Sequence, residues 1–246
     1  MSGRSVTREF LGHVRAGRPV ALATRIDGHT GVGAGLLVGR GGILGGTLGE
    51  SETDRHASAF AGRCISEGRP GILPLPAGRI FIDVQLPAPR LVIVGAVHIA
   101  VTLERLAREL GFRTIVCDAR DRFATEERFP AVDELILGWP SEVLSRLELD
   151  EFSYVVVVTH DAKLDNPALE AALRSRVPYV GALGSKKTHA RRVRALREAG
   201  VSEDNIARIH SPIGLAIGAR SPAEIALATL AEIVSVRNRL EAARTS

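Results

Sequence analysis

The second half of the sequence contains five short runs of mainly aliphatic residues, each separated from the next by a stretch with helical composition. Tyr154–Val158 is the most informative run. Its unbroken apolar character indicates a strand buried on both faces, because a strand exposed on one face would alternate polar and apolar residues. The other four runs are Leu91–Val94, Thr114–Cys117, Leu135–Leu137 and Tyr179–Leu183. Strands of this kind between helices predict an α/β fold, a Rossmann-like, doubly wound parallel sheet covered on both faces.

Pro87-Ala88-Pro89 is the clearest interruption in the chain. Two prolines one residue apart end a helix and disfavour a central strand. We therefore predict a smaller N-terminal α/β domain at 1–87 and the Rossmann-like domain at 88–246. Helices are predicted at 6–15, at 51–66 with Ser51 as its cap, and at 222–239 with Ser221 as its cap. Strands of the first domain are predicted at 19–26, 36–38, 43–44 and 79–86.

The composition of the 246 residues narrows the functional classes. The 32 Lys+Arg exceed the 28 Asp+Glu by a net charge of +4, and arginine supplies all but three of the basic side chains. Arginine suits bidentate contacts with phosphate or carboxylate. An aromatic content of 4% disfavours nucleic-acid binding through stacked bases. Two cysteines without metal-ligand spacing exclude a zinc finger and a disulfide framework, and no metal site is expected.

No apolar run reaches transmembrane length, and the N-terminal residues lack the apolar segment of a signal peptide. We therefore expect a cytoplasmic protein without a membrane span.

Gly95–Ala100 resembles the glycine fingerprint of dinucleotide-binding folds, which places Gly at the first and third positions and Gly or Ala at the sixth. Gly95 and Ala100 fit, whereas Val97 occupies the middle position. Asp118 follows the second strand at about the offset at which an acidic residue binds a ribose hydroxyl. Two alternatives are open: a dinucleotide bound through its pyrophosphate, or a Rossmann scaffold whose first loop binds another ligand.

Polar residues also follow the fourth and fifth strands of the predicted sheet. Thr159, His160 and Asp161 come directly after the buried valine run, either as ligand-binding groups at the crevice or as a helix cap. Gly184-Ser185-Lys186 opens a helix whose first turn suits an anion. The arginines at 191–197 on that helix are interpreted as a solvated basic face or as a partner-binding surface.

Four segments in this order resemble the XdhC/CoxI family, the accessory proteins of xanthine dehydrogenase and carbon monoxide dehydrogenase. They are 95–98, 159–161, 181–189 and 210–225. The resemblance covers essentially residues 88–240, and the first domain is similar to a shortened form of the family's N-terminal domain. It implies a cofactor chaperone rather than an enzyme. This chaperone would bind the molybdenum cofactor, in its molybdopterin form, and deliver it to an apo molybdenum hydroxylase.

The resemblance also implies sulfuration by a cysteine desulfurase alongside some members, and it leaves a homodimer open. The sequence departs from the family's pattern at two places. Val97 replaces the second glycine of the usual Gly-Ala-Gly-His loop, and the stretch 45–51 lacks the cysteine that many members carry there. Cys64, in a predicted helix, is interpreted as a packing residue.

Taken together, the strand ends and the family motifs identify one expected cofactor-binding set. It comprises Gly95, His98, Asp118, Thr159, His160, Asp161, Gly184, Ser185 and Lys186. No catalytic residue is identified. One alternative is an NAD(P)-dependent oxidoreductase with Asp118 on the ribose and His160 as proton donor. Another is a regulatory or scaffold protein that binds an acidic partner through the arginines at 191–197.

Overall fold

The computed structural model describes residues 3–28 and 30–244. The contacts between Cα atoms divide the chain into two compact units. One extends to Pro87 and includes the residues from Leu240 onward, and the other is Ala88–Arg239. In the described ranges, no helix combines the length and the apolar character that crossing a bilayer requires.

The first unit is an antiparallel sheet with a helix on each face. Its elements are α1 (Gly3–Arg15), β1 (Val20–Arg25), β2 (Gly35–Gly39), β3 (Gly42–Gly46), α2 (Ser51–Glu67), β4 (Gly71–Leu75) and β5 (Gly78–Gln85). The strand order is β3-β2-β1-β5-β4. Residues alternate between the faces: Ala21 and Ile80 pack against α2, whereas Val20 and Leu37 pack against α1.

The predicted helices and strands of this unit are confirmed, with two corrections. β4 was not predicted, because Gly71 and Pro74 obscure its pattern; proline is tolerated there since β4 lies at the sheet edge. Ser51 does not cap α2, because it is already the first helical residue. Instead, Asp54 accepts hydrogen bonds from the Leu48 amide and the Thr47 hydroxyl, both at 2.7 Å, and so fixes the loop before the helix.

The second unit contains a parallel sheet between two layers of helices. Its strands are β6 (Arg90–Val94), β7 (Arg113–Asp118), β8 (Glu134–Leu137), β9 (Ser153–Val157), β10 (Tyr179–Ala182) and β11 (Ile209–His210). Its helices are α3 (His98–Glu109), α4 (Pro140–Arg146), α5 (Ala162–Leu173), α6 (Lys186–Glu198), α7 (Glu203–Ile206) and α8 (Pro222–Arg244). The order β11-β10-β9-β6-β7-β8, with every pair parallel, is that of a doubly wound sheet whose strand order reverses between β6 and β9.

The prediction of a Rossmann-like parallel sheet is thereby confirmed. Every residue of β9 is buried, as the valine run indicated. Ile93 and Val156 pack with α3 and α8 on one face, whereas Val92 and Val155 pack with α4, α5 and α6 on the other. Ser221 caps α8 as predicted: its hydroxyl accepts from the Glu224 amide, and the Glu224 carboxylate accepts from the Ser221 amide. The helix continues to Arg244 rather than ending at Arg239.

Candidate functional site

The predicted site residues lie in loops and helix starts at the carboxyl edge of the parallel sheet. Gly95 follows β6, Asp118 ends β7, and Thr159 follows β9. Gly184, Ser185 and Lys186 follow β10, the next strand in the sheet. Because β6 and β9 flank the point where strand order reverses, this edge is where open α/β sheets bind their ligands.

Gly95 is where the loops after β6 and β9 meet. A Cβ atom at this position would lie 2.7 Å from Thr159 Cγ2 and 2.9 Å from the Thr159 nitrogen, and φ is +106°. The Gly95 amide donates to the Cys117 carbonyl at 2.7 Å. Glycine is therefore required here for the close approach of another loop. The fingerprint pattern had instead suggested the approach of a pyrophosphate.

Asp118 holds the first loop in place. Its side chain is fully buried, and its oxygens accept from the Ala96 amide at 2.8 Å and from Arg120 Nε and Nη2, both at 2.8 Å. Burial alone would raise the pKa of Asp118, but the hydrogen bonds from the Arg120 side chain and from the Ala96 and Arg120 amides outweigh burial and lower it. A ribose hydroxyl would have to displace these partners.

The Asp118–Arg120 pair makes a prediction for stability against pH. In the native protein the pKa of Asp118 lies below its unfolded value of about 3.9, so its stabilisation is present above that pH and is lost as the pH falls through the lower, folded pKa. Arg120→Met leaves burial as the dominant influence and raises that pKa. We expect a loss of about 2–3 kcal/mol at pH 7 that shrinks as the pH approaches 3.

Urea unfolding between pH 3 and pH 7 measures this dependence. Arg122→Met is the matched control, because Arg122 also lies over the Phe123 ring but has no contact with Asp118 among the hydrogen bonds described. An equal, pH-independent loss in both variants would contradict the assignment.

A buried polar chain, missed from the sequence, connects β9, α5 and α6. The Thr159 hydroxyl donates to Asp165 Oδ1 at 2.5 Å, and Arg192 Nη2 donates to Asp165 Oδ2 at 2.5 Å. The side chains of Asp165 and Arg192 are only 2% and 3% exposed. The interpretation of all arginines at 191–197 as solvated is therefore wrong for Arg192. A signal was available, because Arg192 lies four residues before the buried Leu196 on the same helix face.

Two of the predicted residues serve as helix caps. The Asp161 side chain accepts from the Lys163 amide at 2.9 Å at the start of α5. The Ser185 hydroxyl accepts from the Thr188 amide at 3.2 Å at the start of α6. By contrast, His98, His160 and Lys186 are exposed and available to a ligand. His160 has a φ of +63°, so the backbone itself turns at this position.

An arginine cluster that sequence reasoning missed lies beside the first loop. Arg128 Nη1 donates to the Ala96 carbonyl at 2.6 Å and to the Phe123 carbonyl at 2.8 Å. The guanidinium groups of Arg120 and Arg122 lie over the Phe123 ring, 4.3 and 5.0 Å from its centroid. These residues belong to an irregular segment between β7 and β8, where no periodic pattern could single them out.

Neither cysteine offers a thiolate at this edge. Cys117 and Cys64 are both buried and unpaired by disulfide. Burial raises the pKa of Cys117 to about 12 and raises that of Cys64. Cys64 packs in the core beneath α2, as interpreted from the sequence. Within residues 3–28 and 30–244, no cluster of three His, Cys, Asp or Glu side chains is arranged to hold a metal ion.

Comparison with known proteins gives three relatives with informative matches. YqeB of Escherichia coli K12, an uncharacterized protein, is 29% identical over 239 residues, which is 89% of this chain and 44% of YqeB. A probable xanthine dehydrogenase component of Bacillus subtilis is 35% identical over 161 residues, 65% of this chain and 47% of the relative. The molybdenum cofactor insertion chaperone PaoD of E. coli is 38% identical over 90 residues, 37% of this chain and 28% of PaoD. The chain thus spans less than half the length of these relatives.

The fold and the family are supported by two further matches. The solved structure of a xanthine dehydrogenase from Bacillus halodurans has a TM-score of 0.57 at 20% identity, covering 97% of this chain and 96% of that one, which supports the fold. The sequence profile of the XdhC Rossmann domain matches residues 91–233, more than half of the chain. All four motif segments named above lie within that range. The chain is a member of the XdhC family.

Proposed function

We propose that the chain is a maturation factor that binds molybdenum cofactor and delivers it to an apo molybdenum hydroxylase of the xanthine or carbon monoxide dehydrogenase type. The observation that carries the proposal is the convergence of exposed His98, His160 and Lys186 with the starts of α3, α5 and α6 at one sheet edge. Helix N-termini and a lysine suit an anionic cofactor. The similarity to PaoD, a molybdenum cofactor insertion chaperone, supports this cargo.

The predicted residues divide into two roles under this proposal. Gly95, Asp118 and Thr159 are buried and hold the loops at fixed positions. Asp161 and Ser185 orient the starts of α5 and α6. The exposed histidines and Lys186 contact the cargo directly. Binding and release then suffice for the function, and no covalent step is required of the chain.

Equilibrium dialysis of the purified protein against molybdopterin tests binding, and transfer to an apo xanthine dehydrogenase tests delivery. We expect the wild-type chain to retain the cofactor and to restore hydroxylase activity without a cysteine desulfurase in the mixture. His160→Asn should weaken retention roughly tenfold, as expected for the loss of a hydrogen bond to a charged group. Asparagine is chosen because it tolerates the left-handed backbone at this position.

His56→Asn is the matched control, since His56 is an exposed histidine on α2 of the first unit. Equal retention by the two variants would argue against the assigned edge. Failure of the wild-type chain to retain the cofactor would overturn the function itself.

No observation favours the nicotinamide-dependent oxidoreductase. Arg120 and the Ala96 amide already occupy the Asp118 carboxylate, and Val97 stands at the start of α3 in place of the fingerprint's second glycine. NAD and NADP are therefore run as parallel arms of the same dialysis. We expect neither to be retained.

A further inference from the structure

A cavity of about 370 Å³ opens beside the end of β10, where no function has yet been assigned. Leu183 and Gly184 form one side, the loop 212–219 forms another, and Ile225 and Ala228 of α8 complete it. Its volume falls in the range of small-molecule sites. Gly184 also immediately precedes Ser185, the cap of α6, so the cavity is continuous in sequence with the candidate site.

The lining of this cavity selects for an uncharged group. Its side chains are all aliphatic or absent, since the residues involved are Leu, Ile, Pro, Ala and Gly. Main-chain amides and carbonyls are therefore its hydrogen-bonding groups. A charge enclosed here would lose its hydration without a compensating partner, which costs several kcal/mol or more.

The base of the loop 212–219 is held in a defined position. The Glu232 carboxylate on α8 accepts from the Gly214 amide at 2.9 Å and from the Tyr179 hydroxyl at 2.7 Å. Its other oxygen lies 3.0 Å from His210 Nδ1. The Leu215 amide donates to the Ala228 carbonyl at 3.1 Å. These contacts join β10, β11, the loop and α8, so the cavity is formed before any ligand arrives.

The first turn of α6 presents the opposite chemistry next to the cavity. The Lys186 and Lys187 amides, at the helix start, have no intrahelical acceptor. Beneath this turn, Arg192 Nη1 is buried and has no hydrogen-bond partner in the described structure. It lies 3.0 Å from the position that a Cβ atom of Gly184 would occupy. An unpartnered buried cation under a helix start with free amides favours an anionic group at that point.

We propose that the cavity binds the uncharged ring system of the cargo, the pterin, while its phosphate binds the first turn of α6 above Arg192. The identification of the rings as a pterin rests on the proposed function. Gly184 is the joint between the two subsites, because its missing side chain leaves room for Arg192 below and for the cavity beside it.

Two probes test the subsites separately. The ring subsite is tested with 6-hydroxymethylpterin, whose fluorescence reports binding to the full chain. Ala219→Trp, which fills the cavity from its lining, should weaken binding at least tenfold. Ala223→Trp, at an exposed position of α8 outside the lining, should leave binding unchanged. Ala216→Trp, also in the lining but exposed, provides a second test if Ala219→Trp folds poorly.

The phosphate subsite is tested with inorganic phosphate and pyrophosphate, followed through the NMR shifts of the Lys186 and Lys187 amides. Lys186→Met should weaken binding by about twofold to fivefold, the range of a charge at a helix terminus. Arg191→Met removes an exposed charge from the same helix and should leave binding unchanged. Tighter binding of pyrophosphate than of phosphate would indicate a dinucleotide tail, and the reverse a monophosphate.

The proposal predicts crossed effects: Ala219→Trp impairs pterin binding but not phosphate binding, and Lys186→Met does the opposite. Pterin binding that survives both cavity substitutions, or equal effects of Lys186→Met and Arg191→Met, would overturn it. Retention and delivery of molybdopterin by Ala219→Trp at the wild-type level would refute the cavity assignment while leaving the proposed function intact. Crossed effects without molybdopterin retention would refute the function and leave the two subsites standing.

Discussion

Replacement of Arg192 by Met is expected to lower the free energy of unfolding by about 3–5 kcal/mol. The substitution leaves the Asp165 carboxylate in the interior with the Thr159 hydroxyl as its remaining side-chain donor. A buried charge that loses its counter-ion keeps the cost of its lost hydration without the attraction that offset it. Since Asp165 lies on α5 and Arg192 on α6, we also expect the packing between these helices to loosen.

Guanidinium unfolding monitored by circular dichroism measures this loss. Arg191→Met removes a neighbouring exposed charge and should change stability by no more than about 0.5 kcal/mol. The double variant Asp165→Leu with Arg192→Met removes both charges and should recover much of the loss. Similar losses in Arg191→Met and Arg192→Met would show that the buried pair contributes little.

Gly95→Ala is expected to cost about 3 kcal/mol, through a strained backbone and a direct steric clash. The backbone at Gly95 has a φ of +106°, which L-residues rarely adopt. The new methyl group would also lie within 3 Å of Thr159 backbone and side-chain atoms. Relief requires the loops after β6 and β9 to separate, so ligand binding at this edge should weaken along with stability.

Gly111→Ala separates the two contributions. Gly111 has a φ of +77°, but a Cβ atom there would meet nothing within 4 Å. It should therefore show only the conformational cost of about 1–2 kcal/mol. Thermal unfolding of both variants gives the comparison. If the two substitutions cost the same, Gly95 would serve the backbone conformation alone, and the close approach of Thr159 would have no energetic role.

The sheet of the second unit was predictable because its signal is local. A strand buried on both faces, such as β9, shows its environment in its own composition, and the helices between strands force parallel pairing. The positions of Gly95, Asp118 and Thr159 at one edge then follow from the fold, since parallel strands end together. The family motifs fall on the same loops and helix starts.

What the sequence did not show depends on contacts between distant segments. Asp165 and Arg192 are 27 residues apart, and no local pattern pairs them. Asp118 has the spacing of a ribose ligand, but its availability depended on Arg120, two residues away, folding back onto it. The cavity beside β10 is built partly from an irregular loop, 212–219, whose apolar residues carry no periodicity and whose position is set by Glu232.

The burial of Cys64 and Cys117 has a practical consequence for observing the cargo in place. With their thiols enclosed and their pKa values raised, both should react slowly with maleimides in the folded protein. A single cysteine introduced at exposed Ala216 or Lys187 could then be labelled selectively without removing either native one. Dyes at these positions would report arrival and departure of a ligand at the two ends of the site, and hence the order in which they are released to an acceptor.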